Sequence, residues 1–314
     1  MKVLVTGGAG FIGSHIVDQC IEQGHHVVVV DNFSTGNREN LNEAVTCYQM
    51  DLTSPQLEQV LMNERPKVVF HQAAQTRVPV SIEQPIADAQ TNIMGTIHLL
   101  EAARRSGVEK TIFASTAAVY GNPVYLPIDE KHPIQPLSGY GAGKHTAEHY
   151  LHIYKELYGI EYTILRYANV YGIRQNPHGE GGVVSIFIDR LLREESLTIY
   201  GDGTQTRDYI NVQDVARANL AAIDRGHGEI LNIGTGEDVS LNQLIQLFEE
   251  VQEHPVTKKY ASERTGDIKH SYFDPTLANQ TLNWKAEIRL KDGLRSTFTH
   301  YQTEYAVMHV GPKV

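Results

Sequence analysis

Residues 2–36 read KVLVTGGAGFIGSHIVDQCIEQGHHVVVVDNFSTG: a short apolar run, a glycine cluster, a stretch with helical periodicity, and a second apolar run ending in Asp31. That order predicts a β-α-β unit. Further runs rich in valine, isoleucine and aromatic residues at Val68–His71, Thr111–Ser115 and Tyr162–Arg166 predict three more strands. Each is separated from the last by enough chain for a crossover helix, and parallel neighbours require such crossovers. The pattern therefore specifies an α/β protein with a doubly wound parallel sheet, covered by helices and binding ligands at the carboxyl ends of its strands.

Beyond about residue 170 the pattern changes to long glycine-bearing loops, YGIRQNPHGEGG and YGDGTQTRDY, with helices between them. This predicts a smaller α/β C-terminal domain. A helix over Asp214–Arg225 and a strand over Glu229–Ile233 predict that the chain returns to the first domain. The expected division is 1–168 plus about 208–236 for the sheet domain, and about 169–207 plus 237–314 for the second. Ser240 and Gln243 form an S-x-x-Q capping box, followed at helical spacing by Leu244, Leu247, Phe248 and Val251. No internal repeat or low-complexity linker separates the two regions.

Composition narrows the function. With 41% hydrophobic and 20% charged residues among 314, the chain is neither disordered nor fibrous. A net charge of −10 has the wrong sign for neutralising a nucleic-acid backbone. Cys20 and Cys47 lack metal-ligand or C-x-x-C spacing, so idle thiols in a reducing compartment are expected. No apolar stretch is long enough to span a membrane, and the first residues read as a strand, so a cytoplasmic protein is expected.

The glycine cluster matches G-x-G-x-x-G at Gly8, Gly10 and Gly13, and Gly7, Gly10 and Gly13 also fit the related G-x-x-G-x-x-G spacing. Either motif is weak alone. Here the loop follows a strand, opens a helix, and precedes Asp31 at the end of the next strand, which is the setting of a dinucleotide site in a Rossmann fold. Glycines allow the backbone to approach a pyrophosphate, the helix amino end offers N–H groups, and the Asp31 carboxylate accepts from ribose hydroxyls. That carboxylate would repel a 2′-phosphate, which favours NAD over NADP.

Tyr140 and Lys144 lie four apart at the start of a helical stretch, one turn apart on one face. A free phenol ionises near pH 10, and an adjacent ammonium together with a nicotinamide cation lowers that value, making a general base. Upstream, the strand ending Ser115-Thr116-Ala117 puts hydroxyls at the carboxyl edge of the sheet, where Thr116 or Ser115 could bond the reacting oxygen.

With TGGAGFIGS, DNFSTG, HQAAQ, TNIMGT, FASTAAVYG, YGAGK, LRYANVYG, GDGTQTRDYI and ERTGDIKHSYFD in order, the chain resembles the extended short-chain dehydrogenases/reductases, specifically nucleotide-sugar epimerases of the UDP-glucose 4-epimerase type. The resemblance implies NAD as cofactor and Tyr140, Lys144 and Thr116 as catalytic residues. It implies cofactor contacts from Gly7, Gly10, Phe11, Ile12 and Gly13, from Asp31, Asn32, Ser34, Thr35 and Gly36, and from Asp51 and Leu52 at the adenine. Ala73, Ala74, Gln75, Asn92, Ser115, Tyr140, Lys144 and Tyr167 complete that set. It also implies a UDP-sugar held by Thr116, Tyr140, Asn169, Arg207, Arg264, Asp267 and Ser271, with the guanidinium groups on its phosphates. The family usually has serine where this chain has Thr116, and the added methyl bears on the angle of approach.

Related 4,6-dehydratases and decarboxylating enzymes carry an acid just after the hydroxyl residue; Thr116-Ala117-Ala118-Val119-Tyr120 has none. The implied reaction is therefore C4 epimerisation: Tyr140 takes the 4-hydroxyl proton as C4 passes hydride to NAD⁺, the 4-keto sugar turns over, and hydride returns to its other face. UDP-glucuronate epimerisation, 4,6-dehydration and a non-catalytic NAD-binding regulator are the alternatives. In the epimerases the chain resembles, the residue four after the aspartate matching Asp267 faces the sugar, so the small Ser271 implies room for UDP-GlcNAc/UDP-GalNAc besides UDP-glucose/UDP-galactose, and the loop RQNPHGEGG is more like the glucose-type enzymes. His145, His149 and His152 have partial ligand spacing on the base-bearing helix, but no metal is expected there. A homodimer, pairing this helix with the one around Asn92–Arg105 in a four-helix bundle, is implied by the resemblance alone.

Overall fold

The computed structural model describes residues 1–177, 182–264 and 267–309. The first half contains strands β1 (Lys2–Thr6), β2 (His26–Asp31), β3 (Thr46–Gln49), β4 (Val68–His71), β5 (Lys110–Thr116) and β6 (Glu161–Tyr167). Between them run helices α1 (Phe11–Glu22), α2 (Leu57–Glu64), α3 (Val78–Glu83), α4 (Pro85–Ala89), α5 (Gly95–Ser106) and α6 (Gly139–Tyr158), with a π-turn at Gln90–Met94 joining α4 to α5. Next come β7 (Asn169–Tyr171), α7 (Val183–Leu192), β8 (Leu197–Tyr200), β9 (Thr206–Arg207), β10 (Tyr209–Asn211), α8 (Val212–Ala221) and β11 (Glu229–Ile233). The chain ends with β12 (Val239–Ser240), α9 (Leu241–Gln252), β13 (Lys258–Ala261), β14 (His270–Ser271), α10 (Thr276–Leu282) and α11 (Leu290–His309).

Seven parallel strands form the main sheet in the order β11-β6-β5-β4-β1-β2-β3. The chain leaves β1 toward β2 and β3, then crosses back to β4. The carboxyl ends of β1 and β4 thus flank the topological switch point, where open α/β sheets bind ligands. Strand alternation sorts the core: Val3 and Val5 pack on the face covered by α1 and α8, whereas Leu4 packs with Leu57, Leu61 and Leu99 on the other. The strands expected at Val68–His71 and Glu229–Ile233 occur at those positions, and the helix expected over Asp214–Arg225 spans Val212–Ala221.

A second core gathers Tyr171, Phe187, Ile199, Leu244, Phe248 and Leu294. Its helix α9 begins with the anticipated capping box: Ser240 accepts from the Gln243 amide at 3.1 Å, and Gln243 accepts from the Ser240 amide at 2.7 Å. Ala278, Leu282 and Trp284, late in the chain, pack instead with the first core. The crossing between cores at β9–β10 is pinned by the buried Asp208, whose carboxylate accepts from the Thr235 amide, the Thr235 hydroxyl and the Gly236 amide at 2.9, 2.6 and 3.1 Å. Burial pushes the Cys20 thiol up to about 12, so it stays protonated and unreactive. Met94 beside α5, and Ile153 and Leu157 on α6, remain exposed on the segments of the implied subunit pairing.

Candidate active site

The glycine loop is shaped by close backbone contacts. Gly7 has φ of +68°, and a Cβ there would lie 2.7 Å from the Ala73 nitrogen; one on Gly13 would lie 2.1 Å from the Gly7 oxygen. Glycine is required at both positions. Gly10 is the N-cap of α1 and brings no side-chain acceptor, so the amino end of that helix faces the cavity without a protein cap. The Asp31 carboxylate accepts from the Ala9 amide at 2.9 Å and the Phe33 amide at 2.7 Å, bracing the loop while also lining the cavity. A tight glycine turn, an uncapped helix amino end and a carboxylate at the next strand fit a dinucleotide.

That cavity is lined by Gly7, Gly10, Phe11, Ile12, Gly13, Asp31, Asn32, Ser34, Thr35, Gly36, Asp51, Leu52, Ala73, Ala74, Ser115, Tyr140, Lys144 and Tyr167, all expected. Gln75 and Asn92 are not in its wall. Asn92 is buried and acts as a strut, accepting from the Gln75 amide at 2.9 Å and donating to the Gln75 carbonyl at 2.9 Å and to Asp88 at 3.0 Å. Their neighbours Thr76 and Thr91 line the wall instead, as does Gln72. A strut and a lining residue one position apart in the chain carry no distinguishing signal in sequence.

On α6, the N-cap Ser138 accepts from the Gly141 amide, and the first turn presents Tyr140 to the cavity. One turn on, the buried Lys144 donates from Nζ to the Ala114 carbonyl at 2.9 Å and stands 4.8 Å from the centre of the Phe113 ring. The Thr116 hydroxyl accepts from the Ala118 amide at 3.2 Å, which fixes its oxygen at the end of β5. Another turn along α6, Glu148 is buried and bonded to Ser115 and Arg166. Burial opposes its ionisation, but the Arg166 and His145 bonds outweigh that and hold its carboxyl down at about 2. His145 and His149 approach at 3.2 Å between their Nε2 atoms.

Two further cavities continue from the first. A cavity of about 270 Å³ shares Tyr140, Ser115, Tyr167, Phe11, Ile12 and Thr76 with it and adds Thr116, Asn169 and Gln175. A cavity of about 350 Å³ follows, sharing Asn169 and Tyr209 and bringing together Arg207, Arg264 and Asp267. The Arg264 guanidinium lies 3.8 Å from the centre of the Tyr200 ring. Ser271 pairs with Arg207 in the β14–β9 ladder but lines neither cavity. Gln175 was not foreseen: it is buried, donates to the Val170 carbonyl at 3.1 Å, and its Oε1 has no partner among the described residues. In the loop RQNPHGEGG, residues 178–181 lie outside the described residues.

Beneath the site, the Thr6 hydroxyl, accepting from the Ala73 amide, donates to Nδ1 of the buried His71 at 2.9 Å; Nε2 donates to Thr96 at 3.0 Å, and Thr96 donates to the Asn92 carbonyl. Burial, assisted by the Lys144 charge, lowers the His71 pKa to about 3. The unfolded chain takes up this proton below pH 6.5 and the folded chain does not. Stability is therefore full above that pH and is lost as pH falls toward 3, by about 2 kcal/mol at pH 5. Urea unfolding at pH 7 and pH 5 should show a larger loss for the native chain than for His71→Gln; equal losses would exclude this role.

The sequence model of the NAD dependent epimerase/dehydratase family matches residues 3–234. The chain is 39% identical over 311 residues to the UDP-glucose 4-epimerase of Mycolicibacterium smegmatis, covering 97% of this chain and 99% of the relative. The structure of Thermotoga maritima UDP-glucose 4-epimerase with UDP-glucose superposes with a TM-score of 0.95 at 45% identity, covering 97% of this chain and 99% of the other. That of UDP-N-acetylglucosamine 4-epimerase from Methanobrevibacter ruminantium M1, in complex with UDP-N-acetylmuramic acid, does so at 0.92 and 37% identity, covering 96% and 98%. The cofactor is NAD, and the chain belongs to the NAD-dependent epimerase/dehydratase family.

Proposed function

We propose that the protein inverts C4 of a UDP-hexose through a transient 4-keto sugar, acting on the glucose/galactose pair and on the N-acetylated pair. One observation carries this reading. The middle cavity has a phenol and a hydroxyl, Tyr140 and Thr116, at its cofactor end and, among the described residues, neither an acidic nor a basic side chain elsewhere in its wall. Dehydration needs a further acid or base beside C5 or C6, and a buried uronate carboxylate is best matched by a cation; an epimerase acting on a neutral hexose needs neither. Tyr140 takes and returns the 4-hydroxyl proton, Lys144 favours the phenolate by its charge, and Thr116 orients the oxygen. Bound NAD supplies the reversible acceptor for the hydrogen on C4. Arg207 and Arg264 hold the diphosphate, and Asp267 accepts from the ribose.

Gln175 supports the wider substrate range, because its buried Oε1 suits either a sugar hydroxyl or an acetamido N–H. Separate incubation with UDP-glucose, UDP-GlcNAc and UDP-glucuronate, with the products resolved, should give 4-epimers of the first two. A dehydrated ketosugar, or no product, would overturn the proposal. Ser271→Tyr should lower the ratio of N-acetylated to non-acetylated turnover. An unchanged ratio would remove Ser271 from the specificity argument, as its position outside the cavity wall makes a stringent test.

A further inference from the structure

We propose that the buried Glu148–Arg166 ion pair is a positioning device for catalysis, fixing the strand end and turn that carry Thr116 against the helix that carries Tyr140 and Lys144. The proposal rests on the epimerase reading above. Arg166, on β6, grips the Glu148 carboxylate in a fork, with Nε to Oε1 at 2.9 Å and Nη2 to Oε2 at 2.7 Å, and both side chains are 3% exposed. The remaining bonds of this pair converge on the two sides of Thr116. The Ser115 hydroxyl, just before it, donates to Glu148 Oε1 at 2.6 Å. Arg166 Nη1 donates at 2.9 Å to the hydroxyl of Tyr120, which closes the short helical turn Ala117–Val119 that Thr116 caps. Tyr120 in turn donates to Asn232 at 2.7 Å and is wholly buried.

The helix is bound to the same assembly. Tyr140, Lys144 and Glu148 follow at intervals of four along α6, so they form one stripe facing β5. Lys144 bonds the Ala114 carbonyl and Glu148 the Ser115 hydroxyl, two successive residues of that strand. At the amino end, a Cβ on Gly141 would lie 2.5 Å from the Ala118 carbonyl oxygen, so the helix is seated directly on the Thr116 turn. The register between phenol and hydroxyl is therefore set at three points.

Stability alone does not account for the pair. Burying two charges costs desolvation that their attraction barely repays, and apolar side chains of equal volume often stabilise as well or better. What an apolar replacement cannot supply is the set of directed bonds to Ser115 and Tyr120. A displacement of about 1 Å between reacting groups is enough to cost roughly 10²-fold in rate.

Tyr120→Phe is the decisive variant, because Tyr120 lines neither the cofactor cavity nor the adjoining one and its loss leaves the ion pair whole. With UDP-glucose as substrate, kcat should fall about tenfold while KM stays within about twofold and NAD content is unchanged. Glu148→Gln, which keeps an acceptor for Ser115, should fall by about 10²-fold and retain more activity than Glu148→Ala. If the Glu148 variants do not fold, Tyr120→Phe still decides. A Tyr120→Phe protein with a lowered Tm and kcat within twofold of the parent would overturn the positioning role and leave the epimerase reading intact. A parent protein without epimerase activity would overturn both.

Discussion

Tyr140→Phe is expected to lower turnover of UDP-glucose by roughly 10² to 10⁴-fold, with NAD content and KM close to those of the parent. The substitution removes one oxygen at the boundary between the cofactor cavity and its neighbour, and nothing that shapes either wall. Lys144 keeps its bond to the Ala114 carbonyl, and Thr116 remains fixed by its bond from the Ala118 amide. Binding and orientation therefore persist while the proton acceptor is lost, so the defect falls on kcat. Steady-state rates with UDP-glucose, together with NAD released on denaturation, measure both halves. Unimpaired turnover would show that another group takes the 4-hydroxyl proton.

Gly13→Ala is expected to weaken NAD binding by about 10²-fold or more. The new methyl would stand 2.1 Å from the Gly7 oxygen, 2.8 Å from the Gly7 carbonyl carbon and 3.0 Å from the Gly8 Cα. All three are backbone atoms of the loop itself, so no side chain can swing aside and the turn must open. Overpacking of this kind costs about 1–3 kcal/mol or more, and each 1.4 kcal/mol is tenfold in affinity. Gly24→Ala is the matched control: Gly24 has φ of +77° but nothing within 4 Å of the added methyl, so it costs stability through strain and leaves NAD affinity unchanged. Titration of NAD into both variants compares them. Parental affinity in Gly13→Ala would show that this loop does not cradle the dinucleotide phosphates.

Much of this architecture was legible before any coordinates. A strand buried on both faces reads as a continuous apolar run, as at Val68–His71, and the strand expected at Glu229–Ile233 was also found in place although it lies at the sheet edge. The edge strand β3 escaped notice because Thr46–Gln49 is only half-buried and carries no apolar run. Gly7, Gly13 and Asp31 were readable because loop, helix and next strand follow one another locally in the chain. The role of Gln175 was not readable, since a glutamine in a polar loop becomes a buried acceptor only through tertiary packing. Glu148 did leave a signal: it continues the spacing of four set by Tyr140 and Lys144. The histidines beside it carry the more conspicuous, ligand-like spacing, yet it is the Glu148 carboxylate that makes the contacts near the hydroxyl residue.

The pinned crossing at Asp208 bears on how a sugar can present both faces. Its carboxylate fastens the β9–β10 link, which carries Arg207 on one side and Tyr209 on the other, to the end of β11 in the main sheet. The chain passes between the cores more than once, so a swing of one core against the other would have to bend every crossing together. Under the proposed epimerase reading the half-turn then falls to the hexose ring about its own linkage, swivelling like a gimbal between a diphosphate held by Arg207 and Arg264 and the phenol of Tyr140.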